Sequence, residues 1–159
     1  MAGFRNTASF GKRMEYVVVA ELLRRGYDVY MPLVDDQGID CILRKGDSEY
    51  IDIQIKARSH DCSLSDGWRF AAMAINNPRY NYFFIFYSSK ADCYWIAPSL
   101  DLVNEAYCNE NGNNVGKYHI NLCGHSKKDG SVHANPKFDK WKNRFDLLGL
   151  CCPPAESST

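Results

Sequence analysis

No stretch of this 159-residue chain is apolar over anything near the roughly 18 residues that a membrane helix needs. The opening Met1-Ala2-Gly3-Phe4-Arg5 also lacks the apolar core of an export leader, so the expected location is the cytoplasm. A paired cysteine framework is missing too. The seven cysteines are odd in number, and in that compartment the default is reduced thiols. Net charge is absent: 19 Lys and Arg balance 19 Asp and Glu. This argues against a protein that coats nucleic acid by bulk electrostatics, but not against one that touches it locally. No internal repeat is visible.

What is present is one ordinary soluble domain, 45% hydrophobic and 24% charged. Phe10, Met14, Val17, Val18 and Leu22 recur at helical spacing and predict a helix over 9–25, with Ser9 as N-cap and Gly26 as its stop. Strands are predicted at 27–31, 39–44 and 49–58, then at 82–87 and 93–97. The run 82–87 is apolar throughout, as in a central strand buried on both faces. Residues 67–77 read as helical, with a short helix over 99–107 and a strand over 118–122. A final helix is predicted over 137–148 from Phe138, Trp141, Phe145 and Leu148. The expected architecture is α/β, a mixed central sheet flanked by helices. Its core spans 9–97 of a single domain 1–150, with a strand and helix extension over 98–150. Residues 151–159 are expected to be a disordered tail.

Ile51-Asp52-Ile53-Gln54-Ile55-Lys56 alternates strictly, so the three isoleucines face one side and Asp52, Gln54 and Lys56 the other. A three-residue loop, Gly46-Asp47-Ser48, would pair Lys45 with Glu49, Leu43 with Ile51 and Cys41 with Ile53. That register gathers the apolar residues on one face and sets Asp40 opposite Gln54. A carboxylate, an amide oxygen and a nearby ammonium suit a hard cation and a phosphate. Glu15 lies on or beside the apolar stripe of the first helix, where a carboxylate needs a partner.

Gly11-Lys12-Arg13-Met14-Glu15, Gly38-Ile39-Asp40 and Gln54-Ile55-Lys56-Ala57-Arg58 together resemble the PD-(D/E)xK nuclease superfamily. That group has a restriction-endonuclease-like core and includes restriction enzymes, archaeal Holliday-junction resolvases and some homing endonucleases. The resemblance implies a metal-dependent DNA endonuclease using Mg²⁺ or Mn²⁺, acting as a homodimer or larger homo-oligomer. Asp40 would be the principal metal ligand, with Gln54 in the usual acidic position. The main-chain carbonyl of Ile55 would complete the inner set, and Glu15 would bind the metal directly or through water. Lys56 would be the catalytic lysine. Lys12, Arg13, Arg58 and Ser59 are candidate DNA contacts, although Arg58 and Ser59 could equally just end the strand. Two positions depart from the pattern. Gly38-Ile39 stands where the family has a proline before the Asp. Gln54 removes one negative charge, which implies weaker metal binding and one strongly held ion rather than two.

Rival readings remain. A non-catalytic DNA-binding or interaction protein could keep this fold. His119, Cys123, His125, His133 and Cys151-Cys152 are of zinc-binding types, but their spacing fits no standard knuckle. Between 117 and 144, seven cations (Lys117, Lys127, Lys128, Lys137, Lys140, Lys142, Arg144) face only Asp129 and Asp139, forming either a DNA-facing patch or a solvated surface. Trp68, Phe70, Tyr80, Tyr82 and Trp95 are either core or base-stacking residues.

Overall fold

The computed structural model describes residues 7–34, 37–59 and 69–149. The first helix, α1, runs Thr7–Arg24, so Ser9 lies within it rather than capping it. Its end follows the expected chemistry. Gly26 takes φ +86° and donates its N–H to the Leu23 carbonyl at 2.9 Å, while Tyr27 N–H reaches back to Leu22 at 3.1 Å. This is the paired-bond stop that a left-handed glycine permits.

Five strands form the central sheet: β1 (Asp28–Tyr30), β2 (Cys41–Lys45), β3 (Glu49–Arg58), β5 (Tyr82–Ser88) and β6 (Cys93–Pro98). They lie in the order β1-β2-β3-β5-β6, and only the β3–β5 contact is parallel. The β2–β3 hairpin has the register that the alternation demands: Lys45 opposite Glu49, Leu43 opposite Ile51, Cys41 opposite Ile53. The three isoleucines consequently pack with Val18, Val19 and Leu22 of α1 in one core. Strand β5 is buried on both faces. Phe83 and Ile85 join the α1 side, while Phe84 and Phe86 turn to a second core behind the sheet.

The second core is covered by a small sheet of β4 (Arg69–Met73), β8 (Tyr118–Asn121) and β7 (Tyr107–Cys108), in the order β4-β8-β7, together with helix α2 (Ser99–Glu105). Where it is described, the helix expected over 67–77 is instead a strand over Arg69–Met73 followed by a loop. Phe70 pairs with Ile120, but Met73 pairs with Tyr118, so two residues on β4 (71 and 72) lie opposite one on β8 (119). The extra residue is accommodated by a bulge in which Ala72 takes φ +55°. A bulge places two buried residues three apart on one face, which imitates helical spacing.

The helix expected over 137–148 is also absent. Two short 3₁₀ turns, Pro136–Phe138 and Phe145–Leu148, flank a run of tight turns that makes a single bridge from Lys142 to Trp95. Phe138 and Trp141 fill the second core, whereas Phe145 and Leu148 fill the α1-side core. The segment therefore wraps around the edge strand β6. Ile96 N–H donates to the Trp141 carbonyl at 2.9 Å, and Tyr94 and Asn143 exchange hydrogen bonds at 2.8 and 3.0 Å. An exposed sheet edge is covered in this way. A small hairpin, β9 (Cys123–His125) with β10 (Val132–Ala134), completes the extension. Among the described residues no helix is long and apolar enough to cross a membrane.

Candidate active site

Strand β2 leaves β3 at Asp40. One residue beyond the paired ladder, the Asp40 backbone N–H donates to the Ile53 carbonyl at 2.8 Å. The Asp40 side chain then takes over the role of a strand: its Oδ2 accepts the Ile55 N–H at 2.6 Å. The N–H and C=O of one strand residue point to the same edge, so the Ile55 carbonyl also faces the fork opened by β2. A carboxylate and a main-chain carbonyl thus meet at one point of the sheet.

Gln54 and Lys56 occupy the face opposite the isoleucines, in register with Phe84 and Phe86 of β5. Gln54 is 8% exposed. Its Oε1 accepts the Tyr82 hydroxyl at 2.9 Å. On the other side, Gly38 presses against the amide: a Cβ at Gly38 would come within 2.8 Å of Gln54 Nε2. Burial pushes the Tyr82 hydroxyl up to about 12, so it stays a donor at neutral pH. The Arg79 guanidinium lies over the Tyr82 ring at 4.7 Å and forms an ion pair with Asp52. Lys56 is half-buried, with no ion pair or hydrogen bond to its ammonium among the described residues.

Glu15 lies on α1, the helix that packs on the isoleucine face of β3. Its Oε2 is shut off from solvent, and the ammonium beside it, Lys12 at 2.6 Å, belongs to a side chain that is 57% exposed. This contact raises the Lys12 pKa, and Asp40 adds to it. Cys41, on β2, is pushed up to about 12 by burial first, then by Asp40 and Glu15.

The remaining candidates are placed unevenly. Arg58 donates to the Arg69 carbonyl at 2.9 Å and lies 5.5 Å from the Phe70 ring centroid, which ties it to β4. Ser59 follows directly after β3, and Arg13 is exposed on α1. Phe70, Tyr82 and Trp95 are core residues, Tyr80 is exposed, and Trp68 lies outside the described residues. The histidines and cysteines of the extension do not assemble. Cys123 is buried in the second core, the His119 ring lies tilted against Tyr107 with centroids 4.8 Å apart, and the His133 ring lies against Gly124. Among the described residues no three His, Cys, Asp or Glu side chains group to hold a metal, and Cys151 and Cys152 lie outside them. In the basic stretch, Lys137 and Lys140 are paired with Glu105, and Arg144 with Asp146.

Reasoning from sequence missed Arg79, and it named Tyr82 and Gly38 without their contacts to Gln54. Gly38 carried a signal, since a glycine two residues before a candidate ligand marks a close approach. It takes φ +71°. Gly38→Ala is expected to cost about 1–3 kcal/mol in stability, from backbone strain and collision with Gln54. Chemical denaturation measures this.

No family model and no curated protein matches the sequence. Solved structures do match. A bacterial homing endonuclease, I-Ssp6803I, aligns over 90% of this chain and 91% of its own, with a TM-score of 0.58 at 14% identity. The chain has a restriction-endonuclease-like fold. Hjc of Archaeoglobus fulgidus, a Holliday junction resolvase, aligns over 71% of this chain and 84% of its own, with a TM-score of 0.49 at 14% identity. Within the restriction-endonuclease-like fold, Asp40 stands at the sheet fork and Lys56 on the same strand face as Gln54.

Proposed function

We propose that the chain is a divalent-metal-dependent DNA endonuclease whose site is the fork at Asp40. The observation that carries this reading is the bond from Ile55 N–H to Asp40 Oδ2, which brings the carboxylate to the Ile55 edge beside Gln54 and Lys56. The donors fit a hard cation. Asp40, the Ile55 carbonyl, the second lone pair of Gln54 Oε1 and Glu15 all offer oxygens, and the Lys12 ammonium 2.6 Å from the buried Glu15 Oε2 marks a place that already accommodates positive charge. Mg²⁺ or Mn²⁺ is the proposed ion, held singly because only two of these groups are anionic.

Such an ion, when bound, neutralises charge on the phosphate under attack. The protein supplies the rest. Asp40 and Glu15 hold the ion, and Tyr82 fixes the amide of Gln54. Lys56 positions the water that attacks phosphorus in line, and its ammonium offsets charge on the non-bridging oxygens. As the new P–O bond forms, the attacking water gives up a proton to solvent, the bond to the leaving sugar oxygen breaks, and that oxygen takes a proton from solvent. DNA is the proposed substrate. A homodimer is the proposed assembly, for which the exposed Tyr16, Val17 and Leu23 of α1 offer apolar surface.

The test is cleavage of a panel of linear, single-stranded, bulged and branched DNA with Mg²⁺ or Mn²⁺. Chelator-sensitive cleavage, reduced about 10²–10⁴-fold in Lys56→Ala, is the expected outcome. Absence of both cleavage and metal binding would establish the second reading, a non-catalytic DNA-binding or interaction protein. That alternative is favoured by one observation: the Gln54 amide is already engaged by Tyr82 on its oxygen and packed against Gly38 on its nitrogen.

A further inference from the structure

A cavity of about 430 Å³ opens directly beside the fork. Its lining is Gln37, Ile39, Asn76, Asn77, Arg79 and Tyr82. Two of its walls belong to the site itself: Ile39 precedes Asp40, and Tyr82 holds Gln54. The volume falls in the roughly 300–1,000 Å³ range of sites that enclose a small molecule.

We propose that this cavity is a subsite for one unpaired nucleobase next to the scissile phosphate, its edge read by the amides of Gln37, Asn76 and Asn77. The proposal rests on the nuclease reading of the fork and names a substrate class for it: DNA carrying an unpaired or extruded base at the cut.

Three observations carry the argument. The first is charge. Arg79 is the cationic side chain in the lining, and its guanidinium is spent on Asp52 and on the Asn77 carbonyl at 2.9 Å. What remains are neutral amides that both donate and accept, and these match the edge of a base better than they match a phosphate.

The second is shape. Base edges in a duplex are recessed in the grooves and are read by elements that protrude from a protein. A recess in the protein instead takes a group that protrudes from the DNA, as enzymes that extrude a base into a pocket do.

The third is rigidity. Fully buried Ser99 clamps the Arg79 backbone on both sides, accepting from its N–H at 3.0 Å and donating to its carbonyl at 2.9 Å. Asn81 is tied to the start of β3 by the Asp52 N–H at 2.8 Å and through its own amide to the Tyr50 carbonyl at 3.1 Å. Asn77 is held at φ +50°. The Arg79 wall of the cavity is therefore fixed by backbone bonds, and the exposed amides stand beside it.

The experiment compares binding of two oligonucleotide duplexes in EDTA: one fully paired, one with a single unpaired 2-aminopurine. Affinity is read by anisotropy and base environment by 2-aminopurine fluorescence. The protein forms are wild type and an Asn76→Ala/Asn77→Gly double variant. Glycine at 77 tolerates the positive φ and keeps the carbonyl that Arg79 uses. Wild type is expected to bind the bulged duplex about tenfold or more tightly, with a change in fluorescence, and the double variant to lose that preference. Equal affinity in wild type, no DNA binding at all, or a preference retained in the variant overturns the proposal. The nuclease reading is decided separately by cleavage in Mg²⁺. Cleavage without bulge preference rejects the subsite alone. A variant-sensitive preference without cleavage keeps the subsite and rejects the nuclease.

Discussion

Asp40→Asn should leave the protein folded and lower DNA cleavage about 10³-fold or more. The amide oxygen of asparagine can still accept the Ile55 N–H, so the strap across the fork survives. The negative charge does not. A hard divalent ion would then be held by Glu15 and neutral oxygens alone, losing several kcal/mol of charge interaction, and each 1.4 kcal/mol corresponds to a factor of ten in rate. Asp40→Ala removes the strap as well, leaving the Ile55 N–H without its acceptor at a cost of about 1–3 kcal/mol. Comparing the two separates the structural role of Asp40 from its chemical one. Parallel assays of cleavage and denaturation are required. A fall in cleavage with an unchanged denaturation midpoint for Asp40→Asn is the expected pattern.

Trp141→Ala should destabilise the fold by about 3–5 kcal/mol, the range for removing a buried large aromatic. Trp141 is 1% exposed, stacks on Phe138 with ring centroids 5.4 Å apart, and offers its carbonyl to Ile96 on β6. The tryptophan anchors the strap that carries Phe138 into one core and Phe145 into the other. An isolated amphipathic helix lying on the surface would lose less, because only one face would be affected. A loss of roughly 1 kcal/mol or less in chemical denaturation would contradict the wrapped arrangement.

Tyr82→Phe is a smaller and sharper probe. It removes the one hydroxyl that fixes Gln54 while keeping the ring under Arg79. The expected stability loss is about 1–3 kcal/mol, because a buried amide oxygen is left without its donor. Metal affinity should fall with it, since the orientation of the Gln54 oxygen is then unset.

The helix, the hairpin and the central strand were legible because each follows from local periodicity. The β2–β3 register could be read to the residue, since a three-residue loop and an unbroken row of isoleucines admit one pairing. The next pair expected from that register, Asp40 opposite Gln54, does not form: the ladder ends at Cys41 and Ile53, and Asp40 turns its N–H to the Ile53 carbonyl and its side chain to the Ile55 N–H. Two elements were misread for a common reason: spacings of three and four are not unique to helices. On β4 a bulge at Ala72 produced one. In the C-terminal strap the chain passes around β6, so Phe138 and Trp141 share one core while Phe145 and Leu148 share the other.

The network from Asp52 through Arg79 and Tyr82 to Gln54 was hidden for a different reason. It depends on the parallel register of β3 with β5, which sets Asp52 beside Tyr82. No turn fixes the register of a parallel pair, so no short stretch of sequence announces it. The zinc-type residues show the converse: residue types alone suggested a site, but the fold separates those that are described.

The fork at Asp40 is proposed to hold one divalent cation. Calorimetric titration of the metal-free protein with Mn²⁺, carried out on wild type and Asp40→Asn side by side, tests it most directly. The expected result is a single site per chain in wild type, weakened at least about tenfold by the substitution. No binding to wild type, or binding of equal strength to both proteins, would contradict it.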